Sequence, residues 1–348
     1  MQTIIKKVDE NCIDEMIMKE AGELLMAGAL VAFPTETVYG LGANALDEKA
    51  AAKIYAAKGR PSDNPLIIHI ADMESLPRIT AEIPETVTKL AEKFWPGPLT
   101  MVLKKSAEVP YGTTGGLDTV AVRMPSHPIA LEMIRHGGGY IAAPSANTSG
   151  RPSPTLASHV ADDMDGIIPM ILDGGAVGIG IESTIVDLTE DVPTILRPGF
   201  ITKEMLEEVV GEVQIDKGLS VDAKVAPKAP GMKYRHYAPK AELIIVEGGK
   251  DAVVAKINAM AKENESKGIS TGVIGTEETI SLYETGIIKC IGSRNDELSI
   301  SSHLYGILRE FDESEAQIIY SESFEDGAMG SAIMNRLLKA AGHKIIKL

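Results

Sequence analysis

The chain contains little cysteine and no long apolar run. Only Cys12 and Cys290 occur among 348 residues, and they lie far apart in sequence. Two isolated cysteines argue against a disulfide framework and against a cysteine-ligated metal, and they favour a reducing cytoplasmic environment. No stretch approaches the roughly 18 apolar residues that a membrane span needs, and the first residues lack the apolar segment of a signal peptide. We therefore expect a globular cytoplasmic protein with no membrane partner.

Basic and aromatic residues are also scarce. The sequence has 34 Lys and Arg against 49 Asp and Glu, which gives a formal net charge of −15. A surface of this sign repels nucleic-acid backbones, so any phosphate binding must come from a focused local site. Aromatic residues make up 4% of the chain, which is few for an RNA-binding surface.

Several signatures of nucleotide and catalytic sites are missing. Gly248-Gly249-Lys250 lacks the upstream glycine of a Walker A motif. The run from Gly40 to Ala45 formally fits G-x-G-x-x-A, but Lys58 and Arg60 stand about where a dinucleotide fold needs a ribose-binding acid. No G-x-S-x-G nucleophile elbow occurs, and the seven histidines show no zinc spacing. The sequence therefore singles out no residues as metal ligands.

The chain divides into three parts by composition. Residues 1–211 mix apolar strand-like runs with helical segments and Gly or Pro turns, whereas residues 241–348 alternate strand and helix patterns typical of a small parallel α/β sheet. Helices are predicted over 12–28, 47–58, 252–262, 298–311 and 330–341. Strands are predicted over 29–33, 65–70, 120–123, 140–143, 185–188, 243–246, 272–274, 287–291 and 317–320.

The segment 212–240 between these parts differs from both. Its second half, residues 223–240, carries three prolines, a glycine and five cations without an acid, so regular structure is not expected there. A solvated linker is the ordinary interpretation of such a segment. Tyr234, His236 and Tyr237 are unusual choices for a spacer, so a ligand-contacting role stays open beside it.

Cations and small hydroxyl residues recur at predicted strand and helix ends. They are Lys58, Arg60, Arg123, Arg197, Thr37, Ser145, Ser153 and Ser183. No nucleophile–base pair accompanies them, which favours an enzyme that handles anions by positioning and electrostatics, as in nucleotidyl transfer. A basic helix end, an ordinary Ser-rich loop and an arginine paired with a protein carboxylate remain alternatives for the individual positions.

Several short motifs resemble the signature of the YrdC-like family, the threonylcarbamoyl-AMP synthases, in order and spacing. They are FPTETVYGLG (33–42), K-G-R (58–60), S-A-N (145–147), ESTIVD (182–187) and LRPG (196–199). The run PGMKYRHYAP (230–239) resembles the linker signature of the long two-domain form. The resemblance covers nearly the whole chain.

The resemblance implies a two-domain α/β architecture. Residues 1–211 would form a YrdC-like domain, a twisted mixed sheet with helices and a concave ligand cavity. Residues 212–240 would be a basic, aromatic linker that folds over the active site. Residues 241–348 would form a smaller, Rossmann-like parallel α/β domain.

The resemblance also implies a reaction. The family makes L-threonylcarbamoyladenylate from L-threonine, bicarbonate and ATP, with Mg²⁺, and releases pyrophosphate. The product serves tRNA processing, namely threonylcarbamoyl modification of adenosine 37 in tRNAs that read ANN codons. A downstream tRNA threonylcarbamoyl transferase machinery is therefore an expected partner, and we expect any direct tRNA binding to be weak.

By the same resemblance, roles fall on particular residues. Lys58 and Arg60 would be catalytic. The L-threonine site would contain Thr37, His69, Arg123, Ala143 and Ser183. The ATP site would contain Arg60, Asn64, Thr119, Ser145, Asn147, Ser153, Arg197, Tyr234 and His236.

Two other functions compete with this one. A carbamoyl-transferring maturation factor shares the YrdC-like domain, but such proteins add an acylphosphatase-like region and cysteine-rich zinc motifs, and the sequence contains neither. An RNA-binding module is the second alternative, and the charge of −15 argues against it as the main role.

Overall fold

The structure is a computed structural model that describes residues 2–216, 237–324 and 327–348. These residues form two compact units. The first contains residues 2–149, 154–178 and 182–216, and the second contains residues 150–153, 179–181 and the described part of the chain from 237 onward. The proposed division at residues 211 and 240 stays a prediction, because most of the predicted linker lies outside the described residues.

The first unit alternates short strands and helices. Its helices are α1 (Glu15–Met26), α2 (Glu48–Lys58), α3 (Leu76–Ile79), α4 (Glu85–Phe94), α5 (Tyr111–Thr114), α6 (Pro128–His136), α7 (Ala157–Met164) and α8 (Lys203–Val210). Its strands are β1 (Ile4–Lys7), β2 (Val31–Phe33), β3 (Gly40–Asn44), β4 (Ile67–His69), β5 (Leu99–Lys104), β6 (Thr119–Arg123), β7 (Ile141–Ala143), β8 (Met170–Asp173), β9 (Thr184–Asp187), β10 (Thr194–Arg197) and β11 (Gln214–Ile215).

The second unit is smaller. Its strands are β12 (Glu242–Glu247), β13 (Thr271–Gly275), β14 (Ile287–Cys290), β15 (Ile318–Glu322) and β16 (Ile345–Lys347), and its helices are α9 (Lys250–Ser266), α10 (Glu297–Asp312) and α11 (Gly330–Ala340). Every strand and helix predicted from the sequence overlaps an observed one, with ends that differ by a few residues. None of the helices in the described ranges is long and apolar enough to cross a membrane.

The strands of the first unit form one mixed sheet. Within the described residues its order is β1-β8-β2-β3-β7-β4-β6-β5-β9-β10-β11. The pair β4–β6 is parallel, with His69 beside Arg123, and β5 runs antiparallel to β6, with Thr100 beside Arg123. This register brings three polar side chains from three strands next to one another.

Strand β3 was not predicted, because its sequence Gly-Leu-Gly-Ala-Asn is typical of a loop. The structure shows why glycine is needed in this buried strand. A Cβ atom at Gly42 would lie 2.9 Å from Ile141 Cγ2, and one at Gly40 would lie 3.0 Å from Phe33 Cζ. The glycines therefore make room for neighbouring side chains, and they do not form a phosphate-binding turn.

The two faces of the sheet differ in what they bury. The main core lies on one face and includes Ile68, Val122 and Met101 with residues of α2 and α4. The opposite face of the central strands carries a small separate cluster of apolar residues, Ile67, Val102, Ala121, Ile185 and Leu196. Because side chains alternate along a strand, residues two positions from these share this second face.

All strand pairs of the second sheet are parallel, which confirms the predicted small parallel α/β sheet. Its order is β14-β13-β15-β12-β16. Two short segments from earlier in the sequence belong to this unit. Arg309 of α10 donates to Pro152 O from Nη2 at 2.6 Å, and Ser301 donates to Ile179 O at 2.8 Å.

Candidate functional site

Loop 34–39, which joins β2 to β3, presents two buried threonines. Thr35 Oγ1 donates to Val38 O at 2.7 Å and lies 2.9 Å from Thr37 Oγ1. Because the Thr35 proton is used on Val38 O, the Thr37 hydroxyl donates to Thr35 Oγ1. The Thr37 oxygen is then free to accept from Arg123 Nη1, which lies at 2.9 Å. The loop therefore holds Thr37 against the guanidinium in one orientation.

Arg123 is the charged centre of this face. Its side chain is 4% exposed, and Nη2 lies 2.7 Å from Glu36 Oε1. An arginine at the end of an internal strand requires an anionic partner, and the structure shows that a protein carboxylate supplies it here. The sequence alone left open whether that partner was a ligand or a carboxylate.

His69 lies beside Arg123 on the neighbouring strand and is almost fully buried. Burial, with a smaller effect from the Arg123 charge, lowers the pKa of His69 to about 3. The ring is therefore neutral near pH 7 and contributes no charge to the site. Its Nδ1 lies 3.2 Å from Ile67 O, and its ring packs edge-on against Phe33.

Ser183, just before β9, joins the same group through Thr100. The two hydroxyl oxygens lie 2.8 Å apart. Arg197, the last residue of β10, donates from Nη2 to Ser183 Oγ at 3.2 Å and from Nε to Ser183 O at 3.1 Å. A second buried cation therefore lies within hydrogen-bond distance of a predicted threonine-site residue.

Because side chains alternate along a strand, most of the predicted threonine-site residues lie on one face of the sheet. His69, Arg123 and Thr100 each lie two residues from a member of the small apolar cluster, so they share its face. Ala143 is directly opposite Ile67 and also shares it. Thr119, predicted for the ATP site, is on this face at the other end of β6, about 13 Å from Arg123 at the usual rise of a strand.

Lys58 lies at the end of α2, which ends at Gly59 with a φ of 60°. Its ammonium is buried and donates to the backbone carbonyls of Ser145 and Asn147. The Ser145 hydroxyl donates to Asn147 Oδ1 at 2.6 Å. Lys58 thus organises the S-A-N loop, and the three predicted residues lie together.

Arg60 and Asn64 form a neighbouring turn. Arg60 Nη2 donates to Asn64 O at 3.2 Å and to Pro65 O at 3.1 Å. The Asn64 side chain is 1% exposed, and no residue in the described ranges donates a hydrogen bond to its Oδ1. A buried amide oxygen in this state is suited to accept a hydrogen bond from a ligand.

Ser153, Tyr234 and His236 are predicted ATP-site residues whose roles rest on the resemblance alone. Ser153 is buried and belongs to the second unit. Tyr234 and His236 lie outside the described residues. Their predicted roles stay predictions.

The whole chain is similar to known proteins. Residues 23–199 match a family model described as "Telomere recombination", and residues 201–342 match one described as "Threonylcarbamoyl-AMP synthase, C-terminal domain". A threonylcarbamoyl-AMP synthase of Pyrococcus abyssi is 51% identical over 99% of this chain and 100% of its own length. One from Bacillus subtilis is 50% identical over 97% of each chain. This chain belongs to the threonylcarbamoyl-AMP synthase family.

A solved structure agrees with this family assignment. The crystal structure of P. abyssi Sua5 complexed with L-threonine superposes with a TM-score of 0.94 at 50% identity, covering 99% of this chain and 100% of that one. Membership of the threonylcarbamoyl-AMP synthase family makes the protein an enzyme, a nucleotidyltransferase. The predicted family resemblance, fold class and enzyme class are thereby confirmed.

The structure places two residues that the sequence did not single out beside the predicted site residues. Glu36 stands inside the FPTETVYGLG motif and pairs with Arg123. Thr100 interrupts an apolar strand, Leu-Thr-Met-Val-Leu, and bonds to Ser183. A buried polar residue within an apolar strand is the signal that could have pointed to Thr100.

Protein carboxylates and histidines of this synthase do not assemble into a metal site within the described ranges. No group of three or more His, Cys, Asp or Glu side chains there is placed to hold an ion. Magnesium often keeps several waters and binds through one or two carboxylates and the phosphates of a nucleotide, so such a group is not required for Mg²⁺ to accompany ATP.

Proposed function

We propose that this synthase makes L-threonylcarbamoyladenylate from L-threonine, bicarbonate and ATP, with release of pyrophosphate. The observation that carries the proposal is the buried guanidinium of Arg123, set on one sheet face with Thr37, His69 and Ser183. A buried cation among small hydroxyls suits the carboxylate of an amino acid. The P. abyssi relative, which has been crystallised in complex with L-threonine, supports threonine as that amino acid.

The proposed threonine site consists of Thr37, His69, Arg123, Ala143 and Ser183. Arg123 would bind the carboxylate, because it is the cation nearest the hydroxyl of Thr37. His69 is neutral near pH 7, since burial lowers its pKa to about 3, and it would shape the site without repelling an ammonium. The hydroxyl of Ser183 would contact the substrate from the neighbouring strand.

The proposed nucleotide site lies among the residues around Lys58. It would contain Arg60, Asn64, Thr119, Ser145, Asn147, Ser153 and Arg197, with Tyr234 and His236 of the linker. Lys58 and Arg60 would stabilise the negative charge that develops when the carbamate oxygen attacks the α-phosphorus and pyrophosphate leaves. Mg²⁺ bound to the ATP phosphates would neutralise part of their charge. No enzyme nucleophile is needed for this displacement.

We also propose the wider setting implied by the resemblance. The product would supply a tRNA threonylcarbamoyl transferase machinery that modifies adenosine 37 in tRNAs reading ANN codons. The reaction would take place in the cytoplasm, in line with the two unpaired cysteines. Residues 1–211 would be the catalytic domain, residues 212–240 the linker that closes the site, and residues 241–348 a second α/β domain.

The first test is pyrophosphate release from ATP, with L-threonine and bicarbonate omitted in turn. We expect release only when both are present, and a mass-spectrometric signal for threonylcarbamoyladenylate. Release that does not depend on threonine would contradict the proposal.

Lys58→Met tests the nucleotide site. We expect threonine-dependent pyrophosphate release to fall by about 100-fold or more, because a positioned charge next to a phosphoryl group contributes roughly 3 kcal/mol or more to the transition state. Lys49→Met, an exposed lysine on the same helix, is the matched control and should retain activity. A far-ultraviolet circular dichroism spectrum checks that both variants are folded, and unchanged turnover in folded Lys58→Met would contradict the assignment.

A further inference from the structure

Glu36 carries a carboxylate whose oxygens are buried without hydrogen bonds. The side chain is 14% exposed, yet neither oxygen accepts a hydrogen bond from any residue in the described part of the chain. Oε1 lies 2.7 Å from Arg123 Nη2, but the two groups are not aligned as donor and acceptor. A carboxylate offers about four acceptor positions, and leaving them unused in a buried site is costly. The arrangement calls for a donor that arrives with a ligand.

Arg123 and Glu36 together are complementary to a zwitterion. An α-amino acid carries a carboxylate and an ammonium on the same carbon atom. If Arg123 takes the carboxylate, as in the proposed function, the ammonium is directed to the neighbouring anion, Glu36. The protein ion pair is then exchanged for two aligned ion pairs with the ligand, which repays the cost of burying both charges.

We propose that Glu36 binds the α-ammonium of the amino-acid substrate and removes the proton that the amine must lose before it is carboxylated. This inference rests on the proposed function and assigns its amine-binding residue. An ammonium has no free electron pair, so it cannot attack carbon until it loses a proton. A carboxylate beside the ammonium can accept that proton, and Glu36 is the carboxylate that lies next to Arg123.

The proposed reaction begins with a proton transfer and ends with the release of pyrophosphate. The N–H proton of the substrate ammonium passes to a Glu36 carboxylate oxygen, which leaves a neutral amine. The amine nitrogen forms a bond to the carbon of bicarbonate, and a C–O bond breaks with loss of water, giving the carbamate. A carbamate oxygen then attacks the α-phosphorus of ATP, and the bond to pyrophosphate breaks. Glu36 returns its proton to solvent.

The other charged and titratable groups around Glu36 are consistent with this role. His127, just before α6, is 9% exposed, and its Nδ1 has no hydrogen-bond partner among the described residues. Burial lowers the pKa of His127, although the charges of Glu10 and Glu36 act in the opposite direction. A neutral His127 does not compete with an ammonium for Glu36. Within the described ranges, Arg123 is the permanent cation that contacts this carboxylate.

The first test measures binding by isothermal titration calorimetry. L-threonine is compared with 3-hydroxybutanoate, which keeps the carboxylate and hydroxyl but lacks the amine. We expect the wild type to prefer L-threonine and Glu36→Gln to lose roughly 10- to 100-fold of that preference. The variant should bind 3-hydroxybutanoate at least as tightly, because Glu36 no longer competes for Arg123. Equal weakening of both ligands would mean that Glu36 only positions Arg123, and would overturn the inference.

The second test measures threonine-dependent pyrophosphate release against pH. Glu36→Gln should lower kcat near neutral pH and recover as the pH approaches the pKa of the free amine. Glu10→Gln, the same change on the exposed side of His127, is the matched control and should keep the wild-type profile. A wild-type profile for folded Glu36→Gln would overturn the inference.

Two further results keep the outcome clear. If Glu36→Gln does not fold, Glu36→Asp replaces it. We expect this variant to keep the preference for L-threonine, because the shorter side chain keeps its charge. We expect its kcat to be reduced, because the carboxylate lies farther from the amine. An unchanged kcat in Glu36→Asp would overturn the proton-transfer role. Absence of threonine-dependent pyrophosphate release in the wild type would overturn the proposed function itself. A failure of the proposed function can therefore be distinguished from a failure of the role given to Glu36.

Discussion

At the scale of single residues, the first unit contains three buried cations. Lys58, Arg123 and Arg197 are each at most 5% exposed. Burying a cation costs several kcal/mol unless its donors are satisfied, so each is surrounded by backbone carbonyls, hydroxyls or a carboxylate. Apolar residues of similar size would fill these positions at a lower cost. In the proposed function, an anionic ligand accounts for these charges.

The shifted pKa of His69 predicts an acid dependence of stability. The folded protein keeps His69 neutral until about pH 3, whereas the unfolded chain binds a proton near the ordinary value of 6.5. The unfolded state thus binds more protons between these values, and the free energy of unfolding falls as the pH falls through this window. The contribution of His69 is about 1.4 kcal/mol per pH unit at most.

His69→Gln should remove this contribution. Urea unfolding between pH 4 and pH 8 should give a shallower decline in the free energy of unfolding for the variant below about pH 6.5. Above pH 7 the difference between variant and wild type should not change with pH, which serves as the internal control. Parallel curves for the two proteins at all pH values would show that His69 is not held neutral in the folded protein.

At the scale of elements, α2 shows how local signals position a site residue. Asp47 caps the helix by accepting from Lys49 N, and Gly59 ends it in the left-handed region. The helix therefore ends immediately after Lys58, whose ammonium reaches the S-A-N loop. These capping signals can be read in the sequence, and the predicted helix over 47–58 agrees closely with the observed one.

Gly42→Ala tests the close packing of β3. An added Cβ would lie 2.9 Å from Ile141 Cγ2 and 3.1 Å from Phe33 Cε1. We expect a loss of about 1–3 kcal/mol in the free energy of unfolding, because an overpacked core forces side chains from their preferred rotamers. Gly178→Ala, where the added atom meets nothing within 4 Å, is the matched control. An equal effect of both substitutions in urea unfolding would contradict the packing explanation.

At the scale of the whole molecule, the net charge of −15 bears on RNA binding. Non-specific nucleic-acid binding depends on neutralising phosphates with lysine and arginine, and acidic proteins lack that surface. The RNA-binding alternative requires this charge to be overcome by a local basic region. The basic segment 223–240 is the candidate, and residues 223–236 of it lie outside the described residues.

We expect tRNA to bind weakly. Fluorescence anisotropy with labelled tRNA at about 0.15 M salt should give a dissociation constant no tighter than about 10 µM, which is within the non-specific range. Lowering the salt should tighten binding, because such binding depends on counterion release. Submicromolar affinity at this salt concentration would instead favour a direct RNA-binding role.

The sequence by itself determined the parallel second sheet with its three helices, and helices α1 and α2 with five strands of the first unit. It did not indicate α4, α6, α7 and α8 or strands β1, β5, β8 and β10, and the residues expected around Arg123 and Lys58 came from the family motifs. The predicted elements could be read because capping residues, apolar runs and short motifs are local signals. Only the tertiary structure decided that Gly40 and Gly42 belong to a buried strand and that Glu36 faces Arg123. Space around a glycine and the partner of a buried charge depend on residues distant in sequence, which no local pattern specifies.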